Sequence, residues 1–133
     1  MLNTIGTAEF DAWDDVAVHE MIHTIGFSYT TFSTLGLVTT NPDGTSSFTG
    51  PEATARNPLG GDILLEDDGG PGTELSHWEE DDYGHEVMTG FIDPSVPTFI
   101  SSMTVAALSD IGYTTVDSGS WSDFTVGDPI AAV

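Results

Sequence analysis

The sequence contains no cysteine and no lysine, and its one basic side chain is Arg56. Without thiols, disulfides and thiolate metal sites are excluded, so any metal must be held by nitrogen and oxygen ligands. With almost no positive charge, nothing would neutralise phosphates. That argues against nucleic acid as a partner and against anionic membrane surfaces. No apolar run is long enough to insert in a membrane. The opening Met1-Leu2-Asn3-Thr4 lacks the basic n-region of a signal peptide, so if the protein is secreted its address is expected on a longer precursor.

What the chain has in quantity is acid. Twenty-two Asp and Glu residues give a formal charge of −21, spread along the chain and not gathered in one tail. The plain reading is a solvated acidic surface. A protein adapted to high salt has this composition too, because salt screens the self-repulsion; unfolding at low salt would support that hypothesis, and indifference to salt would sink it. The 133 residues suffice for one ordinary domain with its own core. No internal repeat and no linker divides them.

The stretch His19-Glu20-Met21-Ile22-His23 organises the rest. It reads H-E-x-x-H. On an α-helix, residues four apart lie one above the other, so His19 and His23 can present two imidazole nitrogens to one metal ion. Glu20 sits at the edge of that face, where it can reach a water beside the metal without being a ligand. A metal-dependent hydrolase needs this arrangement: the metal lowers the pKa of water and the carboxylate takes the proton. A catalytic zinc usually has three protein ligands and one open position. His77, His85 or one of many carboxylates can supply the third, and spacing does not choose among them.

In chain order, residues 1–10 read as a strand or an extended lead-in. Asp14 is the expected N-cap of the motif helix, with Asp15 in its first turn, and the helix runs to about Ile25, where Gly26 stops it. Val18, Ile22 and Ile25, with Met21 beside them, form an apolar stripe next to the histidines. Residues 35–40 resemble a strand, Asn41-Pro42-Asp43-Gly44 a turn and residues 45–49 the returning strand of a hairpin. Pro51 to Arg56 reads as a short helix ended by Asn57-Pro58, and Ile63-Leu64-Leu65 as a short apolar run. Glu66-Asp67-Asp68 and Glu79-Glu80-Asp81-Asp82 read as solvated acidic loops. They offer the oxygen ligands that calcium takes, but without EF-hand spacing. A second helix covers residues 101–110, capped by Ser101 or Ser102 and ended by Gly112, with Val105, Leu108 and Ile111 as buried contacts. Trp121 and Phe124 are candidate anchors in the Ser/Asp/Gly-rich tail. Trp78 reads as a packing residue, His85 as solvent-exposed or hydrogen-bonded, and Arg56 as the partner of a nearby carboxylate.

Gly26 extends the motif to H-E-x-x-H-x-x-G, and here the sequence resembles the metzincin metallopeptidases. Most metzincins place a third histidine three residues after that glycine, where this chain has Tyr29. The leishmanolysin-like branch instead carries a long insertion, then a histidine in a Ser-His-Trp context eleven residues before the methionine of an E-x-Met turn. This chain has Ser76-His77-Trp78 and Glu86-Val87-Met88, at that spacing. The likeness extends through Gly69-Gly70-Pro71-Gly72-Thr73, Met88-Thr89-Gly90 and Leu108-Ser109-Asp110-Ile111-Gly112-Tyr113, and covers roughly residues 6–115. The cysteine-free, glycine-rich form looks most like the prokaryotic branch.

The resemblance implies that His19, His23 and His77 hold one zinc ion, that Glu20 is the general base, and that Met88 forms the Met-turn, an apolar floor under the metal and not a ligand. Some metzincins add a tyrosine two residues after that methionine; Gly90 stands there in this chain. The implied fold is α+β and zincin-like: an active-site helix, a loop-rich middle with short strands, the Met-turn and a C-terminal helix. Residues 1–133 then form one partial catalytic domain, and the sheet subdomain that precedes the helix in this family is expected to be absent. The implied function is zinc-dependent endopeptidase action on protein or peptide substrates, outside the cell or at its surface. Two rivals are carried forward: a catalytically silent zinc-binding or structural module, and a non-peptidase zinc hydrolase that shares the H-E-x-x-H pattern.

Overall fold

The motif helix is longer than its sequence signals suggest. In the computed structural model, which describes residues 8–70, 74–93, 95–116 and 124–125, α1 spans Ala8–Thr24. The cap expected at Asp14 is therefore inside the helix. Nothing between residues 8 and 14 breaks a helix, and Ala8, Glu9 and Ala12 favour one, so the run continues backwards past the candidate cap. Residues 8–10 are helical and not extended; residues 1–7, Trp121 and part of the glycine-rich stretch lie outside the described residues.

The end of α1 is built as expected and has a consequence for the site. Gly26 adopts φ +123°, its N–H reaches the His23 carbonyl at 3.0 Å, and the Phe27 N–H reaches the Ile22 carbonyl at 3.2 Å. This paired closure is the Schellman motif, in which a glycine after the helix end satisfies two orphan carbonyls. A side chain at position 26 would be strained by that backbone, and its Cβ would also lie 3.2 Å from Ile111 Cδ1. The turn drives Phe27 into the core, where it is fully buried.

A six-residue helix not foreseen from the sequence follows, α2 (Tyr29–Thr34), whose N-cap Ser28 accepts from the Thr31 N–H. The threonines there have weak helix propensity, but the cap and burial of Phe32 outweigh it. The hairpin appears as expected: β1 (Val38–Thr40) pairs antiparallel with β2 (Ser46–Phe48) around the Asn41–Gly44 turn, with Val38 opposite Phe48. β3 (Ile63–Leu64) pairs with the other edge of β2, giving the order β1-β2-β3. Between them, α3 (Pro51–Thr54) starts with proline in its first turn. Its free N–H groups at Glu52 and Ala53 donate to the Asp110 carboxylate at 2.9 Å each.

The second acidic stretch is not an open loop. It forms α4 (Glu80–Tyr83), with the Glu79 carboxylate accepting from the Asp81 N–H as its cap. α5 (Ser102–Asp110) begins at the Ser101 cap, one of the two expected, and buries Met103 to Ala107. β4 (Phe99–Ile100) pairs with β5 (Phe124–Thr125) in a separate two-stranded sheet. The architecture is thus α+β, with short helices around a small antiparallel sheet. At its centre Phe27, Phe32, Phe48 and Trp78 form a closed set of edge-to-face contacts at centroid distances of 4.9–5.5 Å. Such pairs contribute roughly 0.5–1.5 kcal/mol each beyond area burial.

Candidate metal centre

Three imidazoles from two distant segments meet at one point. The Nε2 atoms of His19 and His77 are 3.1 Å apart, those of His23 and His19 3.0 Å, and those of His23 and His77 3.0 Å. α1 supplies the first two at helical spacing. His77 comes from a segment stitched in place on both sides. The Glu66 N–H donates to the His77 carbonyl at 2.9 Å, and the Trp78 N–H to the Met88 carbonyl at 2.8 Å. Ser76 accepts from the Tyr29 N–H at 2.9 Å, so the residue standing where most metzincins have their third histidine anchors the neighbour of His77.

The outer nitrogens decide what the inner ones can do. His19 Nδ1 lies 2.6 Å from the Val87 carbonyl, and His23 Nδ1 2.6 Å from the Phe27 carbonyl. A carbonyl only accepts, so both Nδ1 atoms carry the proton and donate it. In the neutral rings both Nε2 atoms then present lone pairs inward. Lone pairs facing one another at 3.0 Å repel unless a cation sits among them. One ion at the usual zinc–nitrogen bond length of about 2.0–2.1 Å touches nitrogens spaced this way. Burial holds the His19 imidazole below its ordinary pKa. His23 pushes it the same way, while the Val87 hydrogen bond and the Glu20 charge oppose the shift. The neutral form favoured by burial is the one that binds metal. The residues therefore fit a zinc ion by donor type, protonation and spacing.

The other expected site residues fall as follows. Glu20 is exposed on α1 beside His19. Met88 is fully buried, in the turn whose Val87 carbonyl orients His19. His85 is exposed, and only His19, His23 and His77 form a histidine cluster among the described residues. Trp78 is fully buried, as a packing residue should be.

The acidic stretches keep Asp67, Asp68, Asp81 and Asp82 exposed, as the solvated reading expects, and depart from it at their first residues. Glu66 is 1% exposed and Glu79 8%. Oxygens of Glu66, Asp67 and Glu79 lie within 4.8 Å of one another. Glu66 accepts from the Asp68 N–H at 3.0 Å, and Glu79 from the Asp81 N–H at 3.3 Å. Those amides take up part of the buried charge, and the three carboxylates are a group that could hold a cation. Burial raises the Glu79 pKa, with Glu66, Asp67 and Asp81 adding to the shift and the Asp81 amide opposing it.

Sequence reasoning missed the two backbone carbonyls that orient the histidines, since main-chain acceptors leave no side-chain signature. It also assigned no task to Glu86, although the E-x-Met pattern contains it.

The leishmanolysin peptidase family model matches residues 4–123. The chain belongs to the leishmanolysin family. A leishmanolysin homolog of Crithidia fasciculata is 36% identical over 107 residues, covering 71% of this chain and 16% of the relative. A ciliated left-right organizer metallopeptidase of Xenopus laevis is 29% identical over 119 residues, covering 74% of this chain and 16% of the relative. The chain thus spans about one-sixth of the length of the curated relatives it matches. Leishmanolysins are zinc metallopeptidases, typically at the cell surface or outside the cell. Among the described residues no helix is long and apolar enough to cross a membrane.

Proposed function

We propose that this chain carries the zinc-binding part of a metzincin-type metalloendopeptidase catalytic domain, which hydrolyses peptide bonds in extracellular or surface-exposed proteins. The observation that carries the reading is the convergence of three Nε2 atoms at 3.0–3.1 Å with the outer nitrogens of His19 and His23 already engaged. His19, His23 and His77 would hold the ion. Zinc, when bound, supplies Lewis acidity that polarises a peptide carbonyl and makes water a nucleophile near neutral pH. The chain's own residues do the rest. The Glu20 carboxylate, one residue from a ligand and open to solvent, takes the proton from the attacking water and returns it to the leaving amine. His19 and His23 stay fixed because Val87 and Phe27 hold their rings from behind. No side chain is required as a covalent nucleophile.

One observation favours the silent-module reading. The apolar side of α1 is partly open, with Met21 66% and Ile25 43% exposed, a surface of the kind that marks an interaction site. Replacing Glu20 by Gln separates the two. If the chain is an enzyme, casein hydrolysis falls by about 10²–10⁴-fold, the usual weight of a general base, while zinc content stays unchanged. Zinc in a parent that hydrolyses neither casein nor a simple ester supports the silent module. Ester hydrolysis without peptide hydrolysis supports the non-peptidase hydrolase.

A further inference from the structure

A buried carboxylate lies two residues before Met88, in the turn whose Val87 carbonyl orients His19. Glu86 is 2% exposed in a chain of charge −21, where an ionised carboxylate is costly to bury unless its oxygens are engaged. Both are. Oε1 accepts from the Met88 N–H at 3.1 Å, and Oε2 accepts from the Thr104 hydroxyl at 2.6 Å. Thr104 is fully buried and accepts in turn from the Trp78 indole N–H at 2.9 Å. The direction of this chain is fixed. An indole only donates, so the Thr104 oxygen accepts from Trp78 and the hydroxyl passes its single proton on to Glu86.

The two ends of this network lie next to two histidines of the cage. Met88 follows Val87, whose carbonyl orients His19. Trp78 follows His77, and its own N–H is tied to the Met88 carbonyl. Resting on the reading that the three histidines hold the metal, we propose that Glu86 is a positioning residue for that cage. One carboxylate sets the turn that orients His19 and, through Thr104 on α5, the indole that locates His77. The helix and the distant His77 segment are far apart in sequence, and this hydrogen-bonded bridge adds to the backbone ties that hold their nitrogens about 3 Å apart.

Glu86→Gln leaves volume unchanged but substitutes a donor for one acceptor, so either Met88 or Thr104 loses its partner. Thr104→Val removes the relay and keeps its shape, and Thr104→Ser restores the hydroxyl. The experiment titrates the parent and the three variants with cobalt(II) and with zinc against a chelator. It records the cobalt visible spectrum as a report of ligand geometry and circular dichroism as a report of folding. Loss of an outer partner of a metal ligand typically weakens metal binding about 10- to 100-fold. Glu86 acts one step behind such partners, so a loss at the lower end of that range, about 10-fold, is expected for Glu86→Gln, together with a changed cobalt spectrum, with a smaller loss for Thr104→Val and parental behaviour for Thr104→Ser. A purely structural role would lower the melting temperature of the metal-free chain without altering the spectrum or the affinity of the folded fraction. If Glu86→Gln does not fold, the Thr104 pair decides. Parental affinity and spectrum in folded Thr104→Val overturn the proposal alone, whereas absence of cobalt and zinc binding in the parent overturns the metal reading and this inference with it.

Discussion

The two faces of α1 have exchanged their usual roles. His19, a polar residue, is 7% exposed, whereas Met21 and Ile25, which belong to the apolar stripe, are 66% and 43% exposed. Only Ile22 of that stripe is buried, with Val18 half-buried. The stripe lines an open apolar groove with Ile100, Val105 and Leu108 of the β4–α5 region. Hydropathy ranks the faces the other way. The difference lies in what each face meets. The histidine face meets the Val87 and Phe27 carbonyls, which take the outer ring N–H groups, and a third imidazole, so its burial is cheap once a cation is bound among the inner nitrogens. Among the described residues the apolar face meets β4 and α5 across that groove, and Met21 and Ile25 stay exposed.

The largest effect is expected where the polar face loses a member. His77→Ala should reduce zinc from about one per chain to a small fraction, read by metal analysis of the purified protein, and should abolish peptide hydrolysis. Retention of stoichiometric zinc by a folded His77→Ala chain would falsify the three-histidine assignment.

Next comes the support behind that face. Phe27→Ala removes a fully buried ring that packs on Phe32 and Trp78. It should destabilise the chain by about 3–5 kcal/mol, seen as a lower urea midpoint. Because the Phe27 carbonyl orients His23, zinc affinity should fall as well. A variant that lost stability but kept parental zinc affinity would show that the carbonyl holds its place without the ring.

The open face should be nearly indifferent. Met21→Gln is expected to change unfolding free energy by no more than about 0.5 kcal/mol and to leave zinc content alone. A large destabilisation would mean that this face is covered in solution, and a chain-concentration dependence of the melting temperature would identify a second copy as the cover.

The smallest effect sharpens the lesson for carboxylates. Glu79 has its pKa raised by burial and by neighbouring acids. The folded chain therefore binds this proton more tightly than the unfolded one, and the group's unfavourable contribution is fully present above the raised value. It fades as pH falls through that value towards the ordinary carboxylate range. Glu79→Gln should raise the melting temperature at pH 7 by a few degrees at most, with the gain shrinking at low pH and at high salt. A gain that persists unchanged at pH 4 would place its origin outside this titration.

Much of the candidate site was legible because it rests on local rules. Four-residue spacing on a helix brings His19 and His23 together whatever else the chain does, and Gly26 marks the turn that follows. The Asn41–Gly44 hairpin, the Ser101 cap and the Pro51 helix start are likewise set by residues within a few positions of one another. The α1 start was misjudged because Asp14 can cap a helix or sit within one, and only the preceding turn decides. α2 and α4 were missed because their residues have little intrinsic helicity and depend on Phe32 and Tyr83 finding buried places.

The sequence by itself determined the helical histidine pair, the exclusion of thiolate chemistry and the acidic character, since these follow from residue type and short-range spacing. The family resemblance pointed to His77, but only the tertiary structure brought it to 3 Å from the other two. It also chose the Val87 and Phe27 carbonyls as ring partners, buried Glu66, Glu79 and Glu86, and left the apolar stripe half open. Apart from the Phe27–His23 contact, which is local, these depend on packing between segments well separated in sequence. Burial and hydrogen bonding are there a property of what the neighbour offers and not of the residue's own polarity.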